Sequence, residues 1–94
     1  MHLVGQDKFD GFGRRHADAQ RSLSAWRRLV RAATWRHIND VRQQDPSADP
    51  VGRFTIFDVR SYRIATIINY PAGVVAVYGV YTHDEYMRID WKRQ

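Results

Sequence analysis

The sequence predicts a small α+β domain: an antiparallel sheet with N-terminal helices packed on one face and a short C-terminal helix. Three observations predict it. The chain has 94 residues, enough for one compact core. Apolar residues recur at helical spacing through the first half and at a period of two from residue 53 onward. Turn-forming residues then divide the period-two stretch into successive strands. A single domain over residues 1–94 is the expected organisation.

Leu3-Val4 reads as a short opening strand. Asp7 can cap a brief helix carrying Phe9 and Phe12, which Gly11 and Gly13 weaken by about 1 kcal/mol each relative to Ala. From Asp18, the stripe Ala19, Leu23, Trp26, Val30 and Ala33 marks an amphipathic helix. Arg21, Arg27, Arg28 and Arg31 fall on the opposite side of its wheel. A shorter helix follows Trp35, with Asn39 or Asp40 as cap and Val41 facing inward. It ends at Asp45-Pro46, because the residue before a proline is pushed out of the helical region. Residues 46–50 read as a loop.

The stretches 53–59, 62–70 and 74–81 are rich in Val, Ile, Tyr and Phe and read as the strands of a meander. Arg60-Ser61 and Pro71-Ala72-Gly73 supply the turns. In the middle strand Tyr62, Ile64 and Ile68 share one side, and Arg63, Ala65 and Ile67 the other. Thr82 caps a last turn of helix with Glu85 at the capping-box position. Trp26, Trp35, Phe54, Phe57 and Tyr78 are assigned to the core.

Composition narrows the function. Lys+Arg number 15 against 10 for Asp+Glu, a formal charge of +5. Lys8 and Lys92 are the only lysines, so the excess is arginine, whose planar fork matches phosphate and stacks on bases. RNA or an acidic protein is the partner that this implies. Cysteine is absent, which removes disulfides, thiolate nucleophiles and Cys-based zinc sites. No apolar run approaches the ~18 residues that span a bilayer. Residues 1–7 lack a basic segment followed by an apolar one, so no secretory signal is expected and the location is expected to be cytoplasmic. No P-loop, GxGxxG, HExxH or EF-hand spacing occurs, and neither a metal nor an organic cofactor is expected.

Several segments together carry a family likeness. They are Ala25-Trp26, Trp35, Pro46-Ser47-Ala48-Asp49, Tyr62-Arg63-Ile64 and the tail Thr82-His83-Asp84-Glu85-Tyr86-Met87-Arg88-Ile89-Asp90-Trp91. In this order the chain resembles the HigB family of type II toxins, within the RelE/ParE superfamily. The tail, a match to T-H-x-E-Y-x-x-I-D-W, is the most specific piece. The resemblance implies a β-α-α-β-β-β fold and an endonuclease that cuts mRNA, usually on the ribosome. It also implies a cognate helix-turn-helix antitoxin, HigA-like, with a toxin monomeric alone and hetero-oligomeric with that partner. Family members often carry Gly-Asn in the turn where this chain has Arg60-Ser61, and more Lys in the long helix.

A ribonuclease of this kind must activate the 2′-OH, neutralise the phosphorane and protonate the leaving 5′-oxygen. His83 leads as the acid or base, since imidazole ordinarily titrates near pH 6.5 and the family tail matches there. Arg63 can clamp the scissile phosphate; the competing reading is a cross-strand ion pair with Asp58. Tyr86, one helical turn beyond His83, can bond the phosphate, stack on a base, move a proton or simply close the core edge. Arg53 and Lys92 are second-rank phosphate contacts. Arg27 and Arg31, with Arg21 and Arg28, form either a solvated face or a grip on RNA or an acidic antitoxin segment. Glu85 is a possible base, with helix capping the simpler role; Asp90 and Trp91 read as structure. His2, His16 and His37 read as plain surface residues.

Two other functional classes remain open on sequence grounds: a ParE-like gyrase poison without nuclease activity, and a basic RNA-binding module without catalysis.

Overall fold

A computed structural model describes residues 1–94. The chain runs β1 (His2–Val4), α1 (Lys8–Arg15), α2 (Gln20–Ala32), α3 (Ile38–Gln44), β2 (Asp49–Val51), β3 (Phe54–Val59), β4 (Tyr62–Asn69), β5 (Val74–Thr82) and α4 (His83–Met87). Short 3-10 turns at Ala17–Ala19 and Trp91–Arg93 complete it. The α+β class and the three meander strands agree with the sequence.

Three expectations need correction. The sheet is mixed and five-stranded, in the order β1-β5-β4-β3-β2, because β1 runs parallel to β5 while every other pair is antiparallel. Residues 49–51, read as loop, add β2 at the edge, where Pro50 loses no ladder donor on its open side. Three helices precede the meander where the β-α-α-β-β-β order implied by the resemblance has two: the brief helix expected at Phe9 and Phe12 forms as α1, its packing outweighing the glycine cost. At the start of α3 the cap position is His37, and Asp40 lies inside the helix with its carboxylate accepting from the Arg36 N–H at 2.8 Å.

The period-two pattern explains the two cores. Phe57, Val59, Tyr62, Ile64, Val75 and Val77 point to the helical face and meet Phe9, Phe12, Leu23, Trp26, Val30 and Val41. Phe54, Ile56 and Ala65 point the other way, and Trp91 folds back over them. Between these layers β4 and β5 slip register by one residue at Ala65–Thr66, leaving Tyr78 without a partner across the ladder. Tyr78 follows Val77 in the alternation onto the face away from helices α1–α3. It is 37% exposed, edge-on to Phe54, and not the core residue that the sequence suggests.

Candidate functional site

The β3–β4 hairpin sets Asp58 directly opposite Arg63 on the face away from helices α1–α3. Such cross-strand neighbours sit within reach of one another. Arg63 Nε lies 3.0 Å from Asp58 Oδ1, and its NH1 donates to the Tyr62 carbonyl at 3.2 Å. Its NH2 points at His83 Nδ1, 3.4 Å away. The ion pair with Asp58 therefore forms, and the guanidinium still reaches the imidazole.

His83 arrives there through β5. Pairing of Tyr62 with Thr82 ends the ladder beside Arg63, and α4 begins at the next residue. The expected capping box is present: Thr82 Oγ1 accepts from the Glu85 N–H at 3.2 Å, and Glu85 Oε1 accepts from the Thr82 N–H at 2.8 Å. The Thr82 N–H holds the Glu85 carboxyl below its usual range, against a smaller rise from burial, and nearby charge on Arg15 and His16 acts with it. Glu85 is thus engaged in its own helix.

Tyr86 stacks on Trp91, with ring centroids 5.4 Å apart, and Trp91 Nε1 donates to the Tyr86 carbonyl at 3.1 Å. Burial raises the Tyr86 hydroxyl above its ordinary pKa, Asp49 and Asp58 add to this, and Arg63 opposes it. The hydroxyl is a donor at neutral pH. Tyr86 borders a hollow of about 410 Å³ together with Arg42, Ser47, Asp49, Asp58 and Arg63.

A second hollow, about 290 Å³, is bordered by His16, Ser61, Tyr62, Thr82, His83 and Asp84. Tyr62 donates to both carboxylate oxygens of Asp18, at 2.9 and 2.8 Å, and that bond raises its pKa. Arg63 edges the first hollow and His83 the second, so their 3.4 Å contact is the sill between them. His83 and Tyr86 do not share one cavity, although one helical turn separates them in sequence.

The other cations expected at the site, Arg53, Lys92, Arg27 and Arg31, lie elsewhere. Arg53 covers Phe54 and Tyr78, its guanidinium carbon 5.0 and 6.0 Å from their ring centres. Lys92 lies near the same turn, since a Cβ added at Gly52 would come 3.9 Å from the Lys92 Cα. Both flank the same sheet face as Arg63, but Arg53 is five strand residues from Asp58, roughly 16 Å at about 3.3 Å per residue. Arg27 and Arg31 lie behind the sheet on α2. Arg27 covers Phe9 at 5.2 Å and donates to Ser24 at 3.2 Å, while Arg31 donates to Gln6 Oε1. Neither reaches the Arg63–His83 pair.

Arg42 is a charged lining residue that the sequence did not single out, and His16, read as plain surface, is half-buried against Phe12 and Tyr62 at the second hollow. Arg42 is fixed by its Nε donating to the Ala48 carbonyl at 3.0 Å, a contact between α3 and the turn before β2. No local pattern announces such a contact.

The family model of HigB toxin, described as the RelE-like toxic component of a toxin-antitoxin system, matches residues 19–89. That span is most of the chain and includes Asp58, Arg63, His83 and Tyr86. The chain belongs to the HigB toxin family. Membership makes it the toxic half of a pair and so implies an antitoxin partner. A mixed five-stranded sheet with four helices is compatible with the RelE-like fold. No curated protein gives a significant match to the chain. No helix of this HigB-family chain is long and apolar enough to cross a membrane.

Proposed function

We propose that residues 1–94 form one toxin domain acting as an endoribonuclease that cuts mRNA on the cytoplasmic ribosome and so stops translation. One observation carries this reading: the Arg63 guanidinium and the His83 imidazole stand 3.4 Å apart at the sill between two hollows. A phosphodiester laid across that sill meets a bidentate cation and a proton-transfer group together. The 2′-oxygen attacks phosphorus, the P–O5′ bond breaks, and a 2′,3′-cyclic phosphate and a 5′-hydroxyl result. His83 moves a proton, Arg63 neutralises the phosphorane oxygens, and the Tyr86 hydroxyl donates to the same phosphate from the neighbouring hollow. Arg53 and Lys92 hold RNA further along that face, and Arg27 and Arg31 touch ribosomal RNA or the antitoxin from behind. Neither metal nor organic cofactor takes part. A HigA-like helix-turn-helix antitoxin neutralises the toxin, which is a monomer when free.

The test is induction of the chain in cells, with primer extension on abundant messages. Discrete new 5′ ends are expected, absent for His83→Ala and Arg63→Ala chains that keep the parent circular dichroism spectrum. Ends that persist in both variants overturn the assignment. DNA damage without message ends would select a gyrase poison, and steeply salt-dependent binding of intact RNA a module without catalysis.

A further inference from the structure

One imidazole is a single proton carrier, whereas transesterification of RNA needs two: one group takes the 2′-proton and another gives a proton to the 5′-oxygen. The second hollow holds a candidate for the other half. His16 ends α1, its N–H bonded to the Phe12 carbonyl at 2.8 Å, and its own carbonyl accepts from Ala19 at 2.9 Å. The ring is half-buried, tilted against Phe12 at 4.5 Å and Tyr62 at 5.3 Å between centroids. Those contacts aim it into the hollow that His83 borders from the opposite element.

Nothing else lining that hollow is free to act as the acid. The Tyr62 hydroxyl proton is committed to Asp18. Thr82 Oγ1 accepts from the Glu85 N–H, and both Thr82 and Ser61 are aliphatic hydroxyls, far weaker acids than an imidazolium. Asp84 is an exposed carboxyl, the acceptor rather than the donor at neutral pH. His83 is already assigned on the other side by its contact. His83 stands 3.4 Å from the Arg63 guanidinium, so the base role is placed on the imidazole beside the phosphate clamp.

Resting on the nuclease reading, we propose that His16 is the general acid that protonates the departing 5′-oxygen, with His83 taking the 2′-proton. The 2′-O–P bond forms as the P–O5′ bond breaks; one proton passes to His83 and one leaves His16. Solvent restores both, and no oxidant or metal is required. The charged and titratable groups that face His16 are Arg15 and Asp18 on its own segment, Tyr62 from β4, and His83, Asp84 and Glu85 from α4.

The test uses ribosome-bound synthetic messages carrying either the natural 5′-oxygen or a 5′-sulfur at the cleaved link. Sulfur leaves without protonation, so it bypasses an acid but not a base. His16→Phe keeps a ring against Phe12 and Tyr62. It should slow the oxygen link by about 10²–10⁴-fold and the sulfur link by less than about tenfold. The alkaline limb of the oxygen-link pH profile should vanish with it. His83→Ala should slow both links. A His16→Phe chain as fast as its parent on the oxygen link, or equally slowed on both, overturns the assignment. His16→Gln supplies the same comparison where His16→Phe does not fold. A parent chain that cuts neither message overturns the nuclease reading itself; a parent that cuts both, beside an unaffected His16→Phe chain, overturns only the acid.

Discussion

Asp58 and Arg63 face each other across the β3–β4 ladder at 3.0 Å, so the cation proposed to clamp phosphate already has a carboxylate in its fork. The pair is open to water on the aspartate side, where 44% of the side chain is exposed. Pairs of that kind contribute about 1 kcal/mol or less. An incoming phosphodiester can therefore displace Asp58 cheaply, and meanwhile Asp58 keeps the guanidinium pointed at the sill.

Arg63→Lys separates charge from geometry. It retains the cation and loses the fork, so message cleavage should fall by about 10²–10³-fold. The melting free energy should move by about 1 kcal/mol or less. Asp58→Asn should tighten RNA binding at fixed salt, because phosphate no longer competes with a carboxylate. Cleavage rates, melts and filter binding on the two variants check all three statements.

Trp91 is the peg that holds the tail. It is buried against Phe54 at 5.2 Å, Tyr81 at 5.3 Å and Tyr86 at 5.4 Å between ring centroids. Trp91→Ala should cost about 3–5 kcal/mol, and cleavage should fall as Tyr86 loses its support. Met87→Ala, one residue along at 65% exposure, should change the melt by less than about 0.5 kcal/mol. Thermal denaturation of the two proteins distinguishes a peg from a passenger.

Much of this architecture was legible in the chain because its signals are local. The Ala19-to-Val30 stripe, the alternating Tyr62–Ile68 faces and the Thr82–Glu85 box each need only near neighbours, and each appears in the structure. Edge strand β2 is three residues long, too short to show a period, and only the tertiary ladder creates it; β1 was expected as a strand, but nothing local announces its parallel pairing with β5. Tyr78 lies on the face that alternation gives it, but that face is covered only by the tail around Trp91, and this leaves it 37% exposed. The Arg63–His83 contact follows from β4–β5 pairing and so could be guessed; His16 reaches the second hollow only because α1 lies across the sheet. Arg21, Arg28 and Arg31 are exposed on α2, whereas Arg27 is half-buried over Phe9, and no sequence pattern says that this face lies behind the sheet.

Titration should leave marks at both ends of the pH scale. The Glu85 carboxyl sits below its ordinary value in the folded chain, chiefly through the Thr82 N–H. Its stabilisation is present above the ordinary carboxylate range and lost as pH falls through the folded value. Glu85→Gln should flatten the acid side of the stability curve. Burial raises Tyr70, Tyr81 and Tyr86 above 10.0, so their share of stability is complete below pH 10 and lost as pH rises through the folded values. Tyr86→Phe should shallow that alkaline fall, as chemical denaturation across pH would show.

Arg60 is the one non-glycine residue in left-handed backbone, with φ of 58°. A side chain there costs about 1–2 kcal/mol relative to the right-handed region. Glycine removes the Cβ clash but loses more entropy on folding, by about 0.5–1 kcal/mol. The balance predicts that Arg60→Gly stabilises the chain by several tenths to about 1 kcal/mol. Arg60 also lends positive charge near Tyr62, lowering the phenol slightly against the larger effect of Asp18. Because the turn sets the register that brings Arg63 opposite Asp58, a rise in midpoint with an unchanged urea slope would show that the hairpin already adopts its preferred geometry. A lower midpoint would mean that Arg60 makes a stabilising contact outweighing its own backbone strain.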